Sequence, residues 1–257
     1  MTWCAAVDYR QGTAHRRVGL PCQDFGGVRK PAGSDAIVGA VADGAGSASL
    51  SHFGAQSATR FALSLLSDRA ARATGPDETL MDGLLEAVQA HLTIAARTYG
   101  CDTDDLACTL IAFAAWPTGI AALQIGDGFL IRSVGGRLYR QVGTGHRGEF
   151  INETLFVTDP GVADRVRVAV ELGPISFIAA ATDGLEHVSI SSDDGRPHMP
   201  FFGPLNDYVS RTSNDDEVHQ GIREFLRSER LSTRVDDDMT LLLCGWRDER
   251  RNRAILS

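Results

Sequence analysis

Nine short apolar runs rich in β-formers, at 3–8, 36–42, 107–116, 119–126, 129–133, 138–142, 167–171, 176–182 and 239–246, punctuate the chain. Two tandem amphipathic segments separate the second run from the third. The first, about 51–67, gathers Phe53, Ala58, Phe61, Ala62, Leu65 and Leu66 on one helical face; the second, about 78–97, does the same with Leu80, Leu84, Leu85, Val88 and Leu92. A third amphipathic segment, 213–230, opens on capping residues and acids and carries Val218, Ile222, Phe225 and Leu226 on its apolar side. Two helices in tandem inside a mostly β chain fit an α+β layered fold better than strict βαβ alternation. No repeat, low-complexity segment or linker divides the 257 residues, so one domain is expected over 1–257, long enough to bury a core without staples. The stretch 143–166 has weak periodicity and reads as a long surface excursion, a flap of the kind that tends to be functional.

Composition removes several function classes. A net charge of −8 argues against a nucleic-acid partner held through its phosphates. Lys30 is the only lysine, which excludes a Walker A loop, a Schiff-base lysine and a Ser-x-x-Lys nucleophile together. Five cysteines with no C-x-x-C pair read as packing thiols in a reducing compartment rather than as zinc ligands or disulfides. The N-terminus "MTWCAAVDYRQ" has neither a basic head nor an apolar signal core, and no run is long enough to span a membrane; a cytoplasmic protein is expected.

Three of the apolar runs end in Asp-Gly: Asp43-Gly44, Asp127-Gly128 and Asp183-Gly184. Asp-Gly is a strong hairpin signal, and a hairpin must be followed at once by a returning strand. "FLIRSVGGRLYRQV" after Asp127-Gly128 reads as such a strand, so Asp127 is expected to serve a turn. After Asp43-Gly44 come small residues and then helix, and after Asp183-Gly184 the chain drifts into a polar loop. A carboxylate at a strand end, followed by glycine, lets both side chain and backbone carbonyl reach a cation. "RVDDDMTLLLCGW" has the opposite polarity, setting Asp236, Asp237 and Asp238 just before a buried strand, where they repel one another unless neutralised. Oxygen ligands without a His or Cys cluster select hard ions, magnesium or manganese.

In order along 12–246, these motifs resemble those of the metal-dependent serine/threonine protein phosphatases of type 2C. The matching stretches are "PCQDF" (21–25), "VADGAGS" (41–47), "ACTLIAF" (107–113), "IGDGFLI" (125–131), "ATDGLEH" (181–187) and "VDDDMTLLL" (235–243). "GTAHRRVGLPCQDF" and the flap-like "GEFINETLFVTD" look closest to a bacterial branch. The resemblance implies two packed antiparallel sheets flanked by helix pairs, with two manganese or magnesium ions, and a third looser one, in a cleft at one sheet end. It makes Asp43 the carboxylate bridging both ions and Gly44 a carbonyl ligand of one. Asp183 and Asp237 resemble ligands of the second ion, and Asp24 the acid supporting metal-bound water. Asp104 matches the aspartate serving the third ion, with Asp102 and Asp105 as competing positions. Three places depart from the family pattern: Gln23 stands where glutamate is usual, Ala45 where some members have a histidine, and Gly19 where a phosphate-binding arginine is usual. His15, Arg16 and Arg17 are the basic residues nearest that last place.

The chemistry implied is hydrolysis of phosphoserine and phosphothreonine in proteins by a hydroxide bridging two metals. The substrate would be a phosphoprotein, the target of a serine/threonine kinase, and the enzyme a monomer. His52 and His187 lie near motifs but read as ordinary hydrogen-bonding residues, which leaves metal-bound water to protonate the leaving group. "DTDDLACT" (102–109) superficially matches an Asp-x-Asp nucleophile motif, but no buried strand precedes it. The alternative from another class is an inactive phosphatase-like module that binds a phosphoprotein, which Gln23 and Ala45 keep in view.

Overall fold

The structure, a computed structural model, describes residues 2–134, 138–143, 154–212 and 214–247. In chain order it runs β1 (Thr2–Arg10), α1 (Thr13–Val18), β2 (Phe25–Arg29), β3 (Ile37–Ala42), α2 (Ser51–Ala70), α3 (Leu84–Tyr99), β4 (Leu110–Trp116), β5 (Gly119–Ile125), β6 (Phe129–Ser133) and β7 (Tyr139–Gln141). There follow β8 (Arg167–Leu172), β9 (Phe177–Ala181), α4 (Glu186–Ser189), α5 (Met199–Arg211), α6 (Asp215–Leu226), α7 (Glu229–Ser232) and β10 (Met239–Arg247). The strands form two antiparallel five-stranded sheets, ordered β1-β10-β9-β6-β7 and β2-β3-β4-β5-β8.

Three apolar clusters show how the layers stack. Ile37, Val41, Ile111, Phe113, Leu130, Ile178 and Leu242 come from both sheets and fill the space between them. The outer face of the second sheet packs through Val38, Ala40 and Ala112 against α2 and α3. That of the first packs through Ile131, Ala179 and Leu241 against α5 and α6. The result is helix, sheet, sheet, helix, as the α+β reading requires. Every residue of β3 and β4 is buried, because both faces of these central strands are covered, and they read as continuous apolar runs. On α2 the buried positions include Gly54, Ala55, Ala58 and Ala62, small residues that let the helix lie close to the sheet.

β2, α5 and the short helices α1 and α4 escaped the apolar pattern. β2, "FGGVR", has two adjacent glycines and no alternation, and it is a strand because it pairs with β3. α5 contains Pro200, Gly203 and Pro204; Pro200 stands in the first turn, where its missing N–H costs nothing, and Pro204 follows soon after. The third amphipathic segment is split into α6 and α7. α6 begins at Asn214, whose side chain accepts the Glu217 N–H. Of the predicted flap, 144–153 lies outside the described residues.

The hairpin expected at Asp127-Gly128 is not there. β5 pairs with β4 and β8, whereas β6 pairs with β9 and β7. The chain therefore crosses from one sheet to the other at Asp127, and the strand that follows returns along a different partner. Local sequence cannot distinguish these cases, since both present a strand, Asp-Gly and a strand.

Candidate metal centre and active site

Strand register brings four aspartates to the same end of the sandwich as two facing pairs. Phe25 faces Ala42 across β2 and β3, so one residue further Asp24 faces Asp43. Phe129 faces Ala181 across β6 and β9, so two residues further Asp127 faces Asp183. Asp237, two residues before β10, joins them; its charge acts on both Asp43 and Asp183.

Backbone contacts fix each position. The Asp43 N–H donates to the Thr109 hydroxyl (2.9 Å) and its carbonyl accepts from the Thr109 N–H (2.8 Å), which is what the threonine-bearing stretch before β4 supplies. The Gly44 N–H donates to the Gln23 carbonyl, locking the two metal-side loops together. Both glycines of the outer Asp-Gly pairs are required by close approach. A Cβ at Gly44 would sit 2.7 Å from the Ser51 backbone, and one at Gly184 would sit 2.0 Å from the Asp238 carbonyl.

The two sheets are tied across the site by Thr182. Its hydroxyl donates to Asp24 (2.6 Å) and accepts from the Thr240 N–H (3.0 Å). Thr182 is 2% exposed, the polar terminus of an otherwise apolar run. The triple aspartate divides its labour. Asp237 is exposed toward the acidic site, while Asp238 is 2% exposed and turned inward. Asp238 accepts the N–H groups of Gly12 (2.6 Å) and Gln23 (2.5 Å), with His15 Nδ1 at 2.9 Å. It thus pins both ends of the loop that carries Asp24.

Electrostatics mark this cluster as one of mutually repelling acids. Asp24 and Asp43 are both held well above the usual carboxylate range, chiefly by burial. Asp43 is raised further by the charges of Asp24, Asp183 and Asp237. Asp183 is pushed up to about 6, by burial first and then by Asp127 and Asp237. Among the described residues, no arginine or lysine pairs with Asp24, Asp43, Asp183 or Asp237. Nor do three His, Cys, Asp or Glu side chains among them already close around one point as a ready cage. Uncompensated buried carboxylates with oxygen ligands alone suit a hard divalent cation.

Asp43, Asp24, Asp183, Asp237 and Gly44, all expected from the sequence, are thereby brought together. Asp104 is exposed on the short turn Thr103–Leu106, and the charge interactions that join the cluster do not include it. Asp127 is the acid the sequence reading left out. It accepts a hydrogen bond from the Thr154 hydroxyl (2.6 Å) and is the foremost charged neighbour of Asp183. A signal for it existed: Asp127 stands two residues before β6, as Asp237 stands two before β10.

Residues 11–227 match the family model described as Protein phosphatase 2C. The chain belongs to the protein phosphatase 2C family. The match ends before β10, so Asp237 joins the site by geometry and by its own motif. Over 252 residues the chain is 30% identical to Serine/threonine-protein phosphatase 3 of Escherichia coli (strain K12), covering 96% of this chain and 99% of that one. Among solved structures, Serine/threonine phosphatase Stp1 from Staphylococcus aureus superposes with a TM-score of 0.61 at 14% identity, covering 96% of each chain. The catalytic domain of the phosphatase PstP, in complex with two manganese ions, gives 0.60 at 16%, covering 96% of this chain and 99% of that one. At such identities these two speak for the fold, which is the sandwich described above.

Proposed function

We propose that this protein is a manganese- or magnesium-dependent phosphatase acting on phosphoserine and phosphothreonine in proteins. The observation that carries the reading is the set of mutually repelling carboxylates around Asp43, to which no arginine or lysine is paired among the described residues. Keeping such groups costs stability, and a module that only bound a phosphoprotein would gain nothing from them.

Asp43 and the Gly44 carbonyl would hold the first ion, and Asp43, Asp183 and Asp237 the second, with Asp24 hydrogen-bonding at the shared face. For a third, looser ion there are two acids, Asp104 by motif and Asp127 by its place opposite Asp183. When bound, such ions supply the charge that activates water and neutralises the phosphoryl oxygens. The chain's own work is positional. Thr109 and Gln23 fix the backbone around Asp43, Thr182 fixes Asp24 from the opposite sheet, and Asp238 holds the loop before Asp24. Gln23 is 4% exposed and contributes an amide where a second acid would add charge, and Ala45 offers no proton to a leaving group.

The same reading gives the protein a phosphorylated target of a serine/threonine kinase, a cytoplasmic location and a monomeric state, acting as one unit over 1–257. It is supported in part by the absence, among the described residues, of any helix long and apolar enough to cross a membrane. The test is turnover of p-nitrophenyl phosphate and phosphothreonine peptides with and without manganese, beside a thermal-shift titration of the metal. Expected are metal-dependent turnover and a native state stabilised by about 2.7 kcal/mol at a hundredfold excess over the dissociation constant. Full turnover in chelator, or a melting temperature unmoved by saturating manganese, would defeat it.

A further inference from the structure

Beside the acidic cluster stands a group of three arginines, Arg10, Arg16 and Arg227. Arg10 closes β1 opposite Met239, and its guanidinium donates to the Leu226 carbonyl at the end of α6 (2.5 Å). Arg227 follows directly as the cap of that helix. Arg16 comes from α1, which is tied to the triple aspartate because the Ala14 N–H donates to the Asp236 carbonyl (2.9 Å). Arg10 is the shared neighbour: after burial, the charges of Arg16 and Arg227 each oppose its charged form.

Their surroundings set them apart. Elsewhere on the β1 and α6 surface, Arg223 pairs with Asp8 and Lys30 with Asp215. Among the described residues, Arg10, Arg16 and Arg227 have no carboxylate partner. Arg16 and Arg227 are exposed. In a chain of net charge −8, three like charges held together without a counter-ion are unfavourable unless an anion arrives to meet them. They also sit at the lip of the site, since the backbone at Gly12, two residues past Arg10, packs directly on that of Asp237.

We propose that Arg10, Arg16 and Arg227 form an anion subsite that receives a second acidic group of the substrate, close in sequence to the phosphoresidue being hydrolysed. The inference rests on the phosphatase reading and adds a substrate class to it: acidic or multiply phosphorylated segments. A carboxylate and a second phosphate share the required chemistry, and guanidinium forks suit both. Arg10, by donating to the end of α6, holds the patch in place, while Arg16 and Arg227 present their charges to solvent.

Three phosphothreonine peptides test this, with alanine flanks, with glutamate flanks, and with a neighbouring phosphoserine, assayed in manganese for kcat/KM. The parent should prefer one or both acidic peptides over the alanine peptide by about tenfold at low salt, and the preference should shrink as salt is raised. Arg16→Glu/Arg227→Glu should bring the ratio to about one or below, and Arg16→Gln/Arg227→Gln to an intermediate value. Preference for phosphoserine alone identifies phosphate as the source; preference for both identifies charge. A parent that turns over all three peptides alike overturns the subsite and leaves the phosphatase reading standing. So does an equal loss on all three in the variants, which would place these arginines on the reacting phosphoryl group. No manganese-dependent turnover of any peptide would overturn both.

Discussion

Two pairs of facing aspartates close the same end of the sandwich, and they differ in how much of their charge the protein shields. At the end of the second sheet Asp24 is buried and accepts the Thr182 hydroxyl from the first sheet, while Asp43, half-buried, is fixed through its backbone by Thr109. Asp127 and Asp183 lie in the first sheet and are more open, with Thr154 on one and Asp237 near the other. Desolvation holds both of these carboxyls well above the usual carboxylate range, and a bound cation would lower them. In the other pair Asp183 is pushed up only to about 6. On the proposed reading, the Asp43 side would hold metal tightly and the Asp127 side a looser position.

The largest effect should come from the residue shared by all the interactions. Asp43→Asn and Asp183→Asn each remove a charge that faces two or more other acids. Turnover should fall by at least about 100-fold in both, with manganese affinity reduced in calorimetric titrations. The metal-free proteins should melt no lower than the parent, because repulsion is relieved. If Asp183→Asn titrates manganese like the parent, the two pairs do not form one site.

Asp127→Asn comes next. A hairpin residue would alter stability and leave metal binding nearly intact, as the sequence alone suggests. A residue opposite Asp183 should instead lower turnover by about tenfold while leaving tight manganese binding largely in place, and Asp104→Asn should do less. Initial rates across a manganese series on the two variants decide between them. A greater loss in Asp104→Asn would move the looser position away from the sheet end.

The smallest effect is on stability against pH. Asp183 holds its proton up to about 6 in the folded chain, against an ordinary value of 3.8. Between those values the native state binds more protons than the unfolded one, so the metal-free protein loses stability as pH rises through that window. Burial of Asp43 extends the loss to higher pH. In chelator the melting temperature should fall by roughly 5 °C from pH 5 to pH 8, and saturating manganese should remove most of that slope. A metal-free protein whose melting temperature rises over that range would contradict the buried, uncompensated state of these carboxylates.

Much of this was legible in the chain. Asp43, Asp183 and Asp237 announce themselves because an apolar strand bounded by an acid is a local pattern, and the Asp-Gly pairs carry their own requirement for close approach. The long helices and most of the strands follow from apolar spacing, which is set by burial on one face or two. β2 and α5 were hidden because glycine and proline blur that spacing, and only pairing with β3, or packing against the first sheet, makes up the difference. What tertiary structure alone decided is partnership. Whether the strand after Asp127 returns along β5 or crosses to β9 depends on which edge offers unpaired backbone and a matching apolar face, a matter settled between residues far apart in sequence. That crossing placed Asp127 opposite Asp183, and contacts equally distant in sequence, from Gly12 and Gln23, hold Asp238 inward while its neighbour Asp237 stays exposed.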